Sequence, residues 1–404
     1  MSFFREYRGK LMKAAGNERI RLALSRAIAS YRANTDRALS QFPHTLALAE
    51  EVRKIKERSI GQMEELTEQA AQAIRANKGK VFIARTSGEA LEIIGDIVGK
   101  GKLIVNAKSM TGEEVGLREY LEGKGNEVYE TDLGEFIVQK LGSKPMHILA
   151  PAIHVPKEDV AKLLTRLTGE KVPPDIAQEV AVVRKFLREK YFRADVGISG
   201  ANVVAADTGT LFLIENEGNA RLATGLPPIH IALVGMEKVV PTFQDACKVA
   251  EVTWRYANYT VPTYVNLISG PSKTGDIEKV TTYGAHGPRD FYVIFLDGGR
   301  VDLAKQELFR QALYCLRCGG CLYECPVFAF TAGYFGDKYF AGIGTIWTAF
   351  VTGDLGRAAP LAYTCLGCGR CRERCPMRID VPSMIIELRR LLVESTLPAK
   401  ELRD

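Results

Sequence analysis

The sequence predicts an α/β protein with an open, mixed but mostly parallel sheet, an N-terminal helical segment and a mostly helical C-terminal domain. Short apolar runs alternate with helix-like stretches between residues 78 and 300, which is typical of parallel sheets. Apolar positions recur at helical spacing on both sides of this region. Eight cysteines lie close together near the C-terminus. We therefore divide the chain into 1–77, 78–300 and 301–404.

Residues 18–77 are predicted to be helical. Apolar side chains such as Ile20, Leu24 and Ile28 recur near helical spacing, and charged residues fill the positions between them. Pro43 should divide the segment into two helices, because proline disfavours a helical conformation in the residue before it. The stretch 1–13 lacks the apolar run of a secretory signal. We expect a frayed terminus there rather than an amphipathic anchor.

Two groups of apolar runs are predicted to form the strands of the central domain. The first group is 81–84, 102–107, 126–131 and 146–151. The second group is 196–199, 202–207, 210–215, 229–235, 263–269 and 291–297. One helix over 158–192 is expected to separate the groups, and another is expected within 236–260. Helical patterns return at 303–320 and 383–394.

The clustered cysteines form two boxes with one spacing, C-x2-C-x2-C-x3-C-P. The boxes consist of Cys315, Cys318, Cys321 and Cys325, and of Cys365, Cys368, Cys371 and Cys375. In two-cluster ferredoxins, three cysteines of such a run bind one [4Fe–4S] cluster and the fourth binds the other. We predict one cluster on Cys315, Cys318, Cys321 and Cys375, and a second on Cys365, Cys368, Cys371 and Cys325.

Two structural zinc sites are the alternative interpretation, because four thiolates also bind zinc. Zinc ribbons usually pair two C-x2-C knuckles and do not need the third cysteine or the proline. Disulfides are a further alternative, but they are typical of small secreted domains, so metal binding is the preferred interpretation. The ninth cysteine, Cys247, is expected to be a small buried apolar residue.

Glycines and arginines surround the cysteines. The glycines would allow positive φ angles and close approach of backbone N–H groups to a cluster; they are Gly319, Gly320, Gly367 and Gly369. The arginines either offset cluster charge or form a solvated docking face; they are Arg317, Arg370, Arg372, Arg374 and Arg378. The sequence leaves both roles of the arginines open.

Composition excludes several functions. The net charge is +6, without the basic and aromatic patch that nucleic-acid binding needs, so we expect no nucleic-acid partner. No apolar run approaches the length of a membrane span, so a cytoplasmic location is expected. There is no P-loop, HExxH, G-x-S-x-G or convincing dinucleotide fingerprint. Flavin or nicotinamide binding by this chain therefore lacks support.

Several segments resemble the lactate-utilisation (LUD) domain family: "KSMTGEEVGL" (108–117), "ETDLGEFIVQ" (130–139), "HILAPAIH" (147–154) and above all 206–241. With two ferredoxin boxes following, the chain is similar to the iron–sulfur B subunits of bacterial L-lactate oxidation complexes. Members commonly have glutamate where this chain has Asp207.

The resemblance implies a fold similar to the isomerase and CoA-transferase superfamily. It also implies a cysteine-rich A-type subunit and a LUD-only C-type subunit as partners. Such a complex would oxidise L-lactate to pyruvate and pass electrons to an acceptor protein or a quinone system. Any membrane association would then come through partners.

The candidate catalytic residues of the central domain are His154, Glu215, Glu217, Arg221 and His286. Arg221 could clamp a carboxylate, and the two histidines could carry protons. The segments 208–210 and 269–273 could cradle an anion. The alternatives are a structured hairpin over 215–221 with internal salt bridges, and ordinary polar turns elsewhere. His230 lies within an apolar strand and is expected in the core.

Three functions follow from these patterns. The first is an electron-transfer subunit of a cytoplasmic oxidoreductase that acts on lactate, which we favour. The second is a small-anion-binding catalytic or sensing module whose clusters serve as redox regulators. The third is a scaffold in which the clusters mainly stabilise the C-terminal helices.

Overall fold

A computed structural model describes residues 3–394. It begins with four helices: α1 (Phe3–Ala15), α2 (Glu18–Gln41), α3 (His44–Gly61) and α4 (Met63–Ala76). The helix break at Pro43 is confirmed, and a further break at Gln62 divides α3 from α4. The expectation of a frayed terminus is wrong, because α1 packs against the C-terminal helices and the Tyr7 hydroxyl donates to Thr364 Oγ1 at 3.0 Å.

Twelve strands lie in the described part of the chain. They are β1 (Lys80–Ala84), β2 (Leu103–Asn106), β3 (Glu127–Glu130), β4 (Val196–Ser199), β5 (Val203–Ala205), β6 (Thr210–Glu215), β7 (Ile229–Gly235), β8 (Val239–Val240), β9 (Tyr264–Ile268), β10 (Lys273–Thr274), β11 (Thr282–Tyr283) and β12 (Asp290–Leu296). Nine of the ten predicted runs contain a strand, and the exception is 146–151.

The main sheet has six strands in the order β1-β12-β7-β4-β2-β3. Every neighbouring pair is parallel. A second sheet has the order β8-β5-β6-β9, with antiparallel β5–β6 and β6–β9 pairs and a parallel β5–β8 pair. β10 and β11 form a separate antiparallel pair. The mixed, mostly parallel α/β fold predicted from the sequence is confirmed.

Helices cover the main sheet on both faces, as a parallel sheet requires. The helices of this region are α5 (Ser87–Val98), α6 (Met110–Val115), α7 (Leu117–Gly123), α8 (Leu133–Leu141), α9 (Lys157–Thr168), α10 (Ile176–Arg193), α11 (Asn219–Gly225) and α12 (Phe243–Tyr256). Strand side chains such as Ile198 and Leu233 pack with α5 and α7 on one face. Val105 packs with α8, α9 and α10 on the other face.

Three predictions for this region are corrected. Residues 146–151 form turns, because the His147 ring accepts from the backbone N–H groups of Leu149 and Ala150 and bends the chain there. The single helix predicted over 158–192 is two helices, since α9 ends at Gly169 in a left-handed conformation. Of 236–260, only α12 is α-helical, and a short 3₁₀ turn and β8 precede it.

The C-terminal region is helical, with short elements around the cysteines. It contains α13 (Arg300–Ala304), α14 (Gly320–Glu324), α15 (Phe328–Thr331), α16 (Ala341–Phe350), α17 (Leu355–Thr364), α18 (Arg370–Arg374) and α19 (Val381–Glu394). The helix predicted over 303–320 is interrupted: α13 is followed by a 3₁₀ turn over Phe309–Tyr314. The helix predicted over 383–394 is confirmed as α19.

One apolar core joins the three regions. Ile55 of α3, Phe212 of β6, Leu313 and Trp347 belong to the same cluster of buried side chains. Trp347 and Ile55 are each no more than 1% exposed. The cysteine boxes are therefore built onto the same core as the sheets. Within residues 3–394, no helix has the length and apolarity that crossing a bilayer requires.

Candidate functional site

The two cysteine boxes fold in the same way. In each box a glycine with positive φ, Gly319 at 76° or Gly369 at 79°, precedes a single helical turn, α14 or α18. The fourth cysteine, Cys325 or Cys375, follows that turn in an extended conformation. Glycine adopts such positive φ angles at no steric cost. The repeated sequence therefore produces a repeated loop, and α14 and α18 pack against each other.

The thiols line two adjacent cavities. Cys315, Cys318, Cys321, Cys371 and Cys375 line the first. The second is lined by Cys321, Cys325, Cys365, Cys368 and Cys371. The last cysteine of each box thus lies with the first three cysteines of the other box. This is the crosswise pattern that the sequence spacing predicts, and we call the two spaces the first and second thiol cavities.

The thiol chemistry of these cavities fits a cationic cluster. Burial, followed by the charge of neighbouring cysteines, raises the pKa of Cys371 to about 12. Burial likewise raises the pKa of Cys325 to about 11. Thiols in such surroundings become thiolates only when a bound cation compensates their charge. None of the nine cysteines is in a disulfide, and across residues 3–394 no three Cys, His, Asp or Glu side chains surround a point suited to a single metal ion.

The two boxes differ in exposure. Cys368 and the neighbouring Leu366 are exposed, and Leu366 is 68% accessible. In the first box, Leu316 is buried and Gly319 lies against Leu149 and His147. The loop of the second box thus lies at the molecular surface, whereas the loop of the first box is covered by other parts of the protein. Cys247, which was expected to be buried, is exposed on α12.

The five arginines near the boxes divide into three groups. Arg317 is enclosed, and its guanidinium lies 3.7 Å from the ring centroid of Trp347 and 4.6 Å from that of Tyr339. Arg372 and Arg374 form ion pairs with Asp380 at 3.1 Å and with Asp36 at 3.2 Å. Arg370 and Arg378 are exposed. Arg317 therefore belongs to the interior, and the exposed pair belongs to the surface around the second box.

A third cavity, of about 260 Å³, lies at the carboxyl edge of the main sheet. Its lining comes from the segments that follow four strands: Lys108 after β2, Asp132 after β3, Gly200 after β4 and Lys238 after β7. β3 lies on one side of β2 and β4 lies on the other side, so the order in which the chain adds strands reverses at β2. Open α/β sheets bind ligands at such a crevice. We call this space the sheet-edge cavity.

The sheet-edge cavity adjoins the first thiol cavity. Arg317, between Cys315 and Cys318, lines both of them, as does Ile148. Arg317 has a positive φ of 61°, which non-glycine residues seldom adopt. The conformation of the first box thus places one cationic side chain between the thiols and the sheet edge.

Two of the candidate catalytic residues line the sheet-edge cavity, namely Glu215 and Glu217. Glu215 accepts from the backbone N–H groups of Ala220 and Arg221 and from Asn266 Nδ2, so it organises the turn into α11. Glu217 reaches solvent at the cavity mouth. Burial of its carboxyl group and the nearby charge of Asp132 raise its pKa to about 7.

Arg221 and His286 lie at a different cavity, of about 530 Å³, beside β9. Ser269, Gly270 and Ser272 of the predicted 269–273 cradle also line it. The Arg221 guanidinium lies 4.3 Å from the ring centroid of Tyr264. The structure therefore does not bring Arg221 and His286 together with Glu217.

The remaining sequence candidates lie elsewhere. His154 is in the turn after Pro151, and burial lowers its pKa. His230 is buried as expected and pairs with Ser199 Oγ at 2.8 Å. Asp207 accepts from the N–H of Phe243, and Gly209 packs against α4. These contacts position structural elements.

Sequence reasoning missed Lys238 and the ion pairs beside it. Lys238 is 8% exposed and lines the sheet-edge cavity. Its neighbour Glu237 lies 2.5 Å from Arg300 Nε, and Glu114 pairs with the same guanidinium at 2.7 Å. Because these partners are far apart in the chain, no local sequence pattern indicates their pairing. The one signal present is the pair of charged residues in "MEK", which directly follows an apolar strand.

Comparison with known proteins agrees with this architecture. Residues 67–296 match the model of the LUD domain, and residues 311–379 match that of the 4Fe-4S dicluster domain. A crystal structure of a DUF162 family protein from Deinococcus radiodurans is also similar, with 16% identity and a TM-score of 0.31, covering 58% of this chain and 98% of that one.

Curated relatives are similar over nearly the whole chain. Lactate utilization protein B of Bacillus licheniformis is 33% identical over 96% of this chain and 80% of its own length. The Bacillus subtilis protein of that name is 32% identical over 96% and 80%. An "uncharacterized electron transport protein YkgF" of Escherichia coli is 30% identical over 94% and 79%.

The mostly parallel sheet and the paired cysteine boxes define an iron–sulfur protein in which a ferredoxin-type domain is joined to an α/β domain. The chain belongs to the LUD-domain family, and it carries a 4Fe-4S dicluster domain at its C-terminus.

Proposed function

We propose that this chain is the iron–sulfur electron-transfer subunit of a cytoplasmic oxidoreductase complex that oxidises L-lactate to pyruvate. The observation that carries the proposal is the crosswise pair of thiol cavities, one enclosed beside the sheet-edge cavity and one near the surface. Relatives named lactate utilization protein B support the choice of lactate. We also propose that the chain consists of three domains, with the bounds 1–77, 78–300 and 301–404.

Two [4Fe–4S] clusters would be bound as the spacing predicts. Cys315, Cys318, Cys321 and Cys375 would hold one of them, and Cys365, Cys368, Cys371 and Cys325 would hold the other. When bound, such clusters supply one-electron transfer. The protein's own residues enclose the first thiol cavity, leave Cys368 accessible, and set Arg317 beside the first site. These features favour electron entry on the sheet side and exit at the exposed second box.

The partners of the proposed complex are a cysteine-rich A-type subunit and a LUD-only C-type subunit. Lactate oxidation removes two electrons, so a partner or a further cofactor must couple this step to one-electron carriers. The exposed surface around Leu366, Arg370 and Arg378 would meet the electron acceptor, a protein or a quinone system. Any membrane association would come through these partners.

A second candidate function is a small-anion-binding catalytic or sensing module with the clusters as redox regulators. The sheet-edge cavity of about 260 Å³, with charged side chains in its lining, favours this candidate, since a protein that only transfers electrons needs no such space. This candidate requires anion turnover or sensing that survives replacement of Cys318 and Cys368 by serine.

The test is anaerobic purification of the full chain with its native partners, followed by iron and sulfide analysis. EPR spectra are then recorded before and after addition of L-lactate. We expect reduced-cluster signals that appear with lactate only when the partner subunits are present. A colourless preparation containing zinc instead of iron contradicts the proposal. So does a complete complex whose clusters stay oxidised when lactate is added.

A further inference from the structure

We propose that the sheet-edge cavity is a binding site for a small hydroxy-monocarboxylate anion, with Lys238 and Arg317 holding the carboxylate. This inference deepens the proposed function and rests on it, because it places the substrate on this chain and at a particular group of residues. The supporting observations concern the burial of Lys238, the position of Arg317 and the acidic side of the cavity.

Lys238 is a buried cation that lacks a direct partner. Its side chain lines the cavity and the residue is only 8% exposed, yet it makes no hydrogen bond or ion pair within residues 3–394. An ammonium group on a residue that is mostly buried loses much of its hydration, and proteins normally pair such groups or use them to bind ligands. A carboxylate in the cavity would supply the missing partner.

Arg317 provides a second donor on the same side. Its guanidinium lies over the Trp347 ring, and its closest carboxylate contact is 3.6 Å from Nη2 to Glu237 Oε1. This leaves N–H groups of a planar fork for a carboxylate. The indole Nε1 of Trp254, another lining residue, is buried without a hydrogen-bond partner and could donate as well.

The other side of the cavity is acidic. Asp132 and Glu217 line it, and Lys108 lies 3.8 Å from Asp132 and 4.0 Å from Glu135. Both carboxyl groups accept hydrogen bonds from a hydroxyl group, and the charge of Asp132 repels a second negative charge. The cavity therefore suits an anion with one carboxylate and a hydroxyl group, and it disfavours dicarboxylates and phosphorylated acids.

The position of the cavity fits a substrate site. It occupies the crevice between β2 and β4 where the sheet changes direction. Ile148 and Arg317 separate it from the first thiol cavity, so a bound anion would lie next to the enclosed box. The sheet-edge cavity and the second thiol cavity share no lining residue.

Equilibrium dialysis of the anaerobically prepared, cluster-loaded full chain with radiolabelled L-lactate tests the inference without any partner protein. Neutral lactamide and dianionic malate serve as competitors. We expect saturable binding at one site per chain, with Lys238→Gln weakening it about tenfold or more, since a hydrogen bond to a charged group is lost. Lys162→Gln, an exposed lysine on α9, is the matched control. Lactamide and malate should compete at least tenfold less well than unlabelled lactate.

A second variant, Trp254→Phe, keeps an aromatic ring but removes the indole N–H donor, and it should weaken lactate binding several-fold with unchanged iron content. Absence of saturable binding, or equal affinity in the parent and both cavity variants, overturns the inference. If lactate reduces the clusters of the complex while the isolated chain fails to bind it, the proposed function stands and this inference falls. If the isolated chain binds lactate but the complex transfers no electrons, the inference stands and the proposed function falls.

Discussion

Glu237 and Arg317 connect the main sheet to the first cysteine box. Glu237 follows β7, and its buried carboxylate lies 2.5 Å from Arg300 Nε and 3.6 Å from Arg317 Nη2. Burial alone would raise its pKa, but Arg300, Lys238 and Arg317 together lower it to about 2. This carboxylate is therefore charged throughout the physiological range and holds together cations from both parts of the chain.

Replacement of Arg300 by methionine should strongly destabilise the fold. The guanidinium is fully buried between Glu114 and Glu237, and its loss removes the closest cationic partner of two buried carboxylates. Breaking such a pair costs about 3–5 kcal/mol. Urea unfolding of the anaerobically prepared protein, followed by circular dichroism, measures the change.

Arg390→Met is the control for this substitution. Arg390 pairs with Glu387 and Glu394 on the exposed face of α19. Exposed pairs of this kind contribute little. The unfolding midpoint of this variant should match that of the parent, and an Arg300→Met midpoint equal to the parent's would refute the role given to the buried network.

Glu135→Gln should alter how stability depends on pH. Burial raises the pKa of Glu135 to about 8, above its value near 4.5 in the unfolded chain. The folded state then holds a proton that the unfolded state releases, so this group makes stability fall as pH rises from about 4.5 to 8. The slope is at most about 1.4 kcal/mol per pH unit. Subtracting the variant's urea midpoints from those of the parent, at steps across this range, isolates the contribution. A flat difference would show that Glu135 is ionised in the folded protein.

Cys318→Ser and Cys368→Ser should each remove about half of the bound iron, since in the proposed assignment each supplies a thiolate to a different four-iron cluster. Cys247→Ser should leave the iron content unchanged, because that thiol is exposed and lies outside both thiol cavities. Colorimetric iron and sulfide assays on anaerobic preparations measure the effect. Equal iron content in all three variants would be inconsistent with the crosswise assignment.

Leu366→Asp should slow electron delivery to the acceptor while preserving both clusters. Leu366 is 68% exposed beside Cys368, so a charge there disturbs a docking surface without opening the core. Ile176→Asp, at the start of α10, changes a similarly exposed apolar residue away from the boxes. Stopped-flow oxidation of the reduced complex by its acceptor compares the two. Equal rates in these variants would place electron exit elsewhere.

The strands of the central domain could be predicted because their apolar runs are short and bounded by turn residues. The run 146–151 looked the same but covers the first cysteine box: the His147 ring lies 4.3 Å from that of Tyr323, and Gly319 leaves room for Leu149. An apolar run indicates that a segment is buried, but it does not indicate whether the segment packs within a sheet or against another domain. That distinction needs tertiary contacts.

The cysteine boxes themselves could be predicted, since each box is defined by its local spacing. The sheet-edge cavity could not, because its lining joins Lys108, Asp132, Lys238 and Arg317 from four separate segments. Glu215 and Glu217 were found through their strand-end motif. The sequence groups Arg221 with these two glutamates because it follows them closely. In the structure, however, Arg221 lies on α11 and lines the other cavity.

The unequal enclosure of the two boxes sets the order in which they would suffer oxidative damage. Oxygen or peroxide arriving from solvent encounters Cys368 and its neighbours directly, whereas the thiols of the other box are shielded by the sheet side of the molecule. Inactivation in air would therefore proceed in stages. The second box would be damaged first. Electron transfer to the acceptor would therefore stop before the first box was oxidised.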